Sequence, residues 1–392
     1  MPGPHRRAGR PGLRWCGPQE VTLTHPAPAA ARPKQRVPFW DNARFACITL
    51  VVMGHAIQRL TSESDPALVV YLFLYAFHMP AFAIISGYFS KSAPPGRRQM
   101  RRVITDILLP YLIMEGIWSL VQFLVEGKRA FNPTQPSWTL WFLLALGIFR
   151  LVLPYLALLR WPLLWSVVIS IGVGYLDNVD STFSLSRALG ILPFFVLGWQ
   201  INRWRLVDRW RLVRTRAWWI RIAAAAVLIA WAVVLVVGID LWRRIDLRYW
   251  FFYDRGYTAL GNEDGTGGLV RLAAILLAVV LTAAFFVLVP RSQSWITRYG
   301  QSTMYVYLLH SFVLYPLRES GILTDTGNPD LVLVGLLVLS VLIVIVLSSG
   351  PVRRITRPLI EPRAAFIFSR KRAFDPEPPR SDPTGSRRDV TR

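Results

Sequence analysis

DNARFACITLVVMGHAIQR, residues 41–59, is the stretch that decides the architecture. It is close to the roughly 20 residues a helix needs to cross the hydrocarbon core of a bilayer. Inside it, ten uncharged residues separate Arg44 from His55. Eleven positions at 100° each come within about 20° of three full turns, so the two share one helix face about 16 Å apart. Asp41 stands one turn before Arg44 and can pair with it at i,i+3. Alone, Arg44 reads equally as a snorkelling interface residue. With His55 above it, one face carries a cation near one end and an acid–base group near the other, which a simple anchoring helix does not need.

The same kind of run recurs along the chain. Of 392 residues, 53% are hydrophobic and 17% charged, and mean hydropathy is +0.37. Lys+Arg number 45 against 23 Asp+Glu, a net charge of +22. The charge is segregated into short Arg-rich connections between long apolar runs, the pattern of a polytopic membrane protein. A soluble nucleic-acid-binding protein would coat an exposed face with that charge, so nucleic acid is excluded as a partner. Ten apolar segments are expected, at 41–59, 68–90, 103–125, 138–157, 162–177, 185–202, 217–239, 269–289, 300–318 and 331–350. Gly172, Gly174 and Pro193 interrupt the fifth and sixth.

Ten crossings put both tails on one side. The segments on that side hold 32 Lys+Arg and the opposite segments hold 6. By the positive-inside rule both termini are then cytoplasmic, in a multi-pass cytoplasmic (plasma) membrane protein. Residues 1–38 are rich in Pro, Arg, Ala and Gly and read as a disordered basic tail with no signal-peptide core. Residues 39–350 form the membrane domain. Residues 351–392 read as a second, mostly disordered basic tail. Cys16 and Cys47 make no disulfide framework and read as inert thiols.

Ionisable groups inside a bilayer are functional candidates by default. His5 and His25 lie in the tail; His55, His78 and His310 lie inside apolar segments. His78 and His310 each stand about ten residues from a segment end, near the midplane, and His55 lies toward the outer half. They are either separately bonded at helix contacts or share one polar cavity. Without ligand spacing they do not make a metal site. The connection KSAPPGRRQMRR holds Arg97, Arg98, Arg101 and Arg102. This cluster reads as a topology signal, an anionic-lipid contact or a phosphate clamp, since guanidinium matches phosphate bidentately. Ser86 and Gly87 read as helix-contact residues. The outer loop 240–268, with WRRIDLRYWFFYDRGY, reads as an interfacial aromatic belt or a docking surface for a carbohydrate-like acceptor. No Walker A loop, dinucleotide fingerprint, HExxH or GxSxG is present.

Six segments in order resemble the integral-membrane acyltransferase family 3, and within it the fucose 4-O-acetylase-like branch. FWDNARFACITLVVMGHA is similar to the family's D-x-x-R…G-H-A segment, and FHMPAFAIISGYF to its F-H-M-P…S-G-Y-F segment. RRQMRRVITDILLPYL resembles the basic loop leading into a Pro-containing helix. WTLWFLLAL, RALGILPFFVLGW and STMYVYLLH resemble the W-F-L, R…P-F-F-x-x-G and Y-x-x-H segments. The likeness spans about residues 38–350, in the form without an added outer domain.

The resemblance implies an all-α membrane enzyme that moves an acyl group, usually acetyl, from cytoplasmic acyl-CoA to a hydroxyl of a cell-envelope glycan or glycoside. It implies that Arg44 holds a CoA phosphate and that Arg97, Arg98, Arg101 and Arg102 bind the donor. His55 would be general base or acyl relay, with Asp41 beside Arg44. His78, His310, Arg187 and Trp141 fall on matching positions with supporting or substrate-binding roles. No metal is implied. The chemistry is coherent, because a hydroxyl is a poor nucleophile and a positioned imidazole can remove its proton as attack proceeds. The competing class is a proton-coupled transporter using midplane histidines; no internal duplication of the two halves is evident.

Overall fold

The structure is a computed structural model and describes residues 3, 36–93, 96–127, 131–176, 178–213, 217–321, 323, 327–362 and 367–368. The chain divides into two units, Met1–Arg36 and Val37–Arg392. The helices belong to the second. Cys16, His5, His25, most of the first tail and the second tail beyond residue 362 apart from 367–368 lie outside the described residues.

The elements are α1 (Pro38–Ile57), α2 (Asp65–Tyr75), α3 (His78–Tyr88), α4 (Arg97–Val103), α5 (Leu109–Glu126), α6 (Trp141–Leu156), α7 (Pro162–Gly172) and α8 (Leu185–Arg203). There follow α9 (Leu206–Leu212), α10 (Ala217–Val237), α11 (Ile239–Arg244), α12 (Leu247–Trp250), α13 (Gly267–Leu288), α14 (Thr303–Glu319), α15 (Pro329–Leu347) and α16 (Gly350–Ile360). No strand occurs among the described residues. The protein is an all-α membrane protein. Seven described stretches are long and apolar enough to cross a bilayer: Pro38–Ser62, Asp65–Tyr88, Arg97–Glu126, Thr182–Arg203, Ala217–Val237, Gly267–Leu288 and Pro329–Leu347. Trp141–Leu156 and Pro162–Tyr175 are apolar but shorter. With α14, these helices coincide with all ten expected apolar segments.

Local chemistry sets the ends. The Ser64 hydroxyl accepts from the Ala67 amide at 3.2 Å and Pro66 follows in the first turn of α2. The Asn328 side chain does the same for Leu331 at 3.2 Å, with Pro329 next. Both are N-caps followed by a residue that has no N–H to leave unsatisfied. Gly127, at φ +69°, closes α5 through its N–H to the Phe123 carbonyl.

The expected second segment, 68–90, is not one helix. The backbone leaves helical geometry at Phe77 (φ −144°, ψ −14°), between α2 and α3. Pro80 explains the break: its ring has no N–H for the Ala76 carbonyl and crowds that oxygen. His78 is thereby the first residue of a new helix. Residues Ile104–Leu108 form a π-helical turn between α4 and α5. The expected tail 351–392 opens with an ordered helix, α16.

The bundle is drawn together by close backbone approach. A Cβ on Gly87 of α3 would lie 1.9 Å from the Phe195 carbonyl oxygen, and one on Gly198 of α8 would lie 2.0 Å from that of Ile84. The two helices touch main chain to main chain, as small residues permit inside a membrane. The start of α1 is pinned by Asn42, which is fully buried. Its amide donates to the Pro290 and Ser292 carbonyls, each at 2.9 Å, and its oxygen accepts from Thr297 at 2.7 Å and Ser294 at 3.2 Å. Every donor and acceptor of that side chain is used, so the residues next to it on α1 have a fixed position.

Candidate active site

At the end of the bundle where α1 begins, a hollow of about 850 Å³ opens between α1, α3, α4, α6 and α14. Five cations line it: Arg44, Lys91, Arg98, Arg102 and Arg150, with Asp106 as the single carboxylate among its lining residues. Arg44 pairs with Asp41 at 3.2 Å, as the i,i+3 spacing implies, and its guanidinium lies 4.5 Å from the Phe89 ring. Of the four-arginine cluster only Arg98 and Arg102 line the hollow. The seven-residue α4 turns its two Arg pairs in different directions. The Arg101 guanidinium sits 4.2 Å from the Phe368 ring, and Arg97, like Arg101, is absent from the lining. Deeper in, the walls are apolar, with Phe82, Ile85, Phe142 and Leu146. The lining runs up to Val51, Met79 and Tyr307.

The three intramembrane histidines begin where that lining ends. Val51 is one turn before His55, Met79 adjoins His78, and Tyr307 is one turn before His310. His55 and His310 lie 5.5 Å apart between ring centroids. Tyr75 stands between His55 (6.4 Å) and His78 (4.6 Å). His78 and His310 are buried, whereas His55 is partly exposed. The Nδ1–H of His78 donates to the Leu74 carbonyl at 2.8 Å, and that of His310 to the Val306 carbonyl at 2.9 Å. A carbonyl can only accept, so in both neutral rings Nδ1 carries the hydrogen and Nε2 the lone pair. His310 Nε2 and His55 Nδ1 are buried with no hydrogen-bond partner among the described residues. Two imidazole nitrogens without a partner thus sit on rings 5.5 Å apart, and the lone pair of His310 Nε2 is free to take a proton.

Past the histidines, toward the end where α6 and α8 begin, polar and aromatic groups gather. Trp138 lies 5.5 Å from His55, and the Arg318 guanidinium lies 5.0 Å from the Trp138 ring. Arg187 bonds Asp254 at 2.6 Å and lies 5.1 Å from Trp141. Trp138 is held in place from below. The Glu115 carboxylate of α5, 2% exposed, accepts from the Ser137 amide at 2.9 Å and the Ser137 hydroxyl at 2.6 Å. The aromatic loop between α10 and α13 contributes Asp254 to this region through its continuation after α12.

The expected residues therefore fall into three groups along one axis: Asp41, Arg44, Arg98 and Arg102; His55, His78 and His310; Arg187 and Trp141. Arg150, Arg318, Tyr75, Trp138, Asp254 and Glu115 were not anticipated. The cost of an ion in a bilayer singles out Arg150 and Arg318 as it does the histidines. Nothing in the local sequence distinguishes Trp138 from the chain's other 15 tryptophans. Among the described residues, no group of three or more His, Cys, Asp or Glu could hold a metal ion.

A stretch of 178 residues is 28% identical to "Nodulation protein NolL" of Mesorhizobium japonicum (strain LMG 29417 / CECT 9101 / MAFF 303099), covering 41% of this chain and 46% of that protein. The chain thus spans about half the length of this curated relative. No solved structure matches it. The family model described as the acyltransferase domain (Acyl_transf_3) covers residues 37–349, from the start of α1 to just past α15, and the chain belongs to that family.

Proposed function

We propose that the protein is an O-acetyltransferase that takes its acyl group from cytoplasmic acyl-CoA and passes it to a hydroxyl of a cell-envelope glycan or glycoside. In this reading it belongs to the fucose 4-O-acetylase-like branch and sits in the cytoplasmic membrane with ten crossings and both tails inside. The observation that carries the reading is the coaxial order of parts: an arginine-lined hollow, the histidines at its inner end, and an aromatic, charged site beyond them.

In this scheme the phosphates of the donor lie against Arg44, Arg98, Arg102 and Arg150, where guanidinium groups in a partly dry hollow give charge-assisted bonds. The slender, less polar arm runs along Phe82, Ile85 and Phe142 toward Tyr307. The acceptor enters beside Trp138 and Trp141, with Arg187 and Asp254 offering donor and acceptor to its hydroxyls. His55, with His310 beside it, takes the proton from the attacking hydroxyl. The oxygen bonds to the thioester carbonyl carbon, the carbon–sulfur bond breaks, and the thiolate leaves to take up a proton. Alternatively, His55 first receives the acyl group through a ring nitrogen and hands it on.

Mass spectrometry of surface glycans and secreted glycosides with and without the gene tests the activity, the expected difference being one acetyl group per modified unit. His55→Ala protein that is correctly inserted yet acetylates at the wild-type rate would remove His55 from the mechanism. A proton-coupled carrier would be neither stabilised thermally by saturating CoA nor able to consume acetyl-CoA, whereas the proposed enzyme does both.

A further inference from the structure

The helix α16 serves none of the roles above. It follows α15, an apolar span, after only Ser348 and Ser349, so chain continuity holds it at the bilayer surface. Its sequence, GPVRRITRPLI, is divided lengthwise. Ile355 and Leu359, one turn apart, are 77% and 40% exposed. At 100° per residue Arg353 and Arg357 lie about 120–160° around the helix from them, and Arg354 about 100–140°. Exposed isoleucine and leucine on one face and arginines on the other are the signature of a helix lying in a membrane interface.

A hollow of about 310 Å³ opens beside α16, lined by Tyr305, Gly350, Arg353, Arg354, Arg357 and Glu361. Glu361 is committed: it accepts from the Tyr305 hydroxyl at 2.9 Å and pairs with Arg357 at 3.0 Å. Arg353 lies over the Tyr305 ring at 5.7 Å. Neither Arg353 nor Arg354 has a carboxylate partner among the described residues. The site therefore carries three positive charges against one negative. At the far end of α16 the buried Ile360 shares an apolar cluster with Ile107 and Tyr111, and Ile107 lines the donor hollow.

We propose that α16 and this hollow form a binding site for the phosphodiester headgroup of an anionic phospholipid, with Ile355 and Leu359 seated among its acyl chains. The site shares no lining residue with the donor hollow; the two are linked only through the apolar cluster that holds both Ile360 and Ile107.

Purified full-length protein in neutral detergent is offered phosphatidylglycerol, phosphatidylcholine or inorganic phosphate, and retained lipid is measured by native mass spectrometry. A basic side chain at an anionic surface is worth about fivefold in affinity. The combined R353Q, R354Q and R357Q protein loses all three of these charges while keeping Glu361, and should retain phosphatidylglycerol roughly 100-fold more weakly than wild type. Retention of phosphatidylcholine should not change. Ile355→Ser with Leu359→Ser should weaken phosphatidylglycerol retention while leaving the arginines in place. If the arginine variant does not fold, the salt dependence of the wild-type protein decides: retention must fall steadily with ionic strength. Equal retention of phosphatidylglycerol by wild type and arginine variant overturns the proposal. So does salt-independent retention, indifference between the two lipids, or retention of inorganic phosphate equal to that of phosphatidylglycerol.

Discussion

Removing the Glu115 carboxylate should detach Trp138 from His55 and slow acyl transfer without touching the donor site. Trp138 has a left-handed backbone, φ +38°, a conformation that costs a non-glycine residue about 1–3 kcal/mol. Against that stand the two hydrogen bonds from Ser137 to Glu115, at 2.9 and 2.6 Å. Bonds to a charged acceptor are worth about 1.5–3 kcal/mol each, or about 3–6 kcal/mol together. The bonds outweigh the strain, so the turn stays where it is and the indole stays 5.5 Å from His55. In Glu115→Ala the strain is unopposed, and the Ser137 amide loses its partner in a part-buried setting. The turn should relax and carry the indole away. Hydrogen exchange at 137–139 should rise, and kcat for transfer should fall at least tenfold, a barrier change of about 1.4 kcal/mol. The KM for acyl-CoA should hold, because no residue of this turn lines the donor hollow. Glu115→Gln, which keeps one acceptor oxygen, should fall between. A variant with faster exchange but wild-type kcat would refute the positioning role. A variant with raised donor KM and unchanged kcat would refute the separation of the two sites.

Three further outcomes follow from the same geometry. Arg98→Ala or Arg102→Ala should raise the KM for acyl-CoA by about 10- to 100-fold, one charge-assisted bond being worth about 1.5–3 kcal/mol, whereas Arg101→Ala should change it less than twofold; steady-state kinetics over donor concentration checks this. Asn42→Leu leaves two carbonyls and two hydroxyls without their partner and should cost about 2–4 kcal/mol of stability, read as a lowered thermal midpoint in detergent. Gly87→Ala sets a methyl group 1.9 Å from the Phe195 carbonyl and should cost at least 3 kcal/mol by forcing α3 from α8, with Gly116→Ala, which meets nothing within 4 Å, as the harmless control.

Much of the arrangement was legible because helices in a bilayer obey few rules. The ten apolar runs fall on helices because buried backbone groups must bond within the segment, though seven described stretches are long and apolar enough to cross a bilayer and the second run is two helices. The pairing of Asp41 with Arg44 was legible because three positions on a helix are always neighbours. The break before His78 is written in Pro80 but not in the hydropathy of the run, which is blind to a missing N–H. The order of α16 was hidden by its arginines, which lower mean hydropathy without preventing a helix.

By itself the sequence determined the helical class, the membrane setting, the shared face of Arg44 and His55, and the segregation of charge, since each follows from composition or from spacing along one helix. Only the tertiary structure decided which arginines line a common hollow, that Arg150 joins them while Arg97 and Arg101 do not, that His310 approaches His55, and that Glu115 secures Trp138 beside it. These partners are joined by helix crossings such as Gly87 against Phe195 and Gly198 against Ile84. A crossing is fixed by the fit of two surfaces far apart in the chain, and no local spacing encodes it.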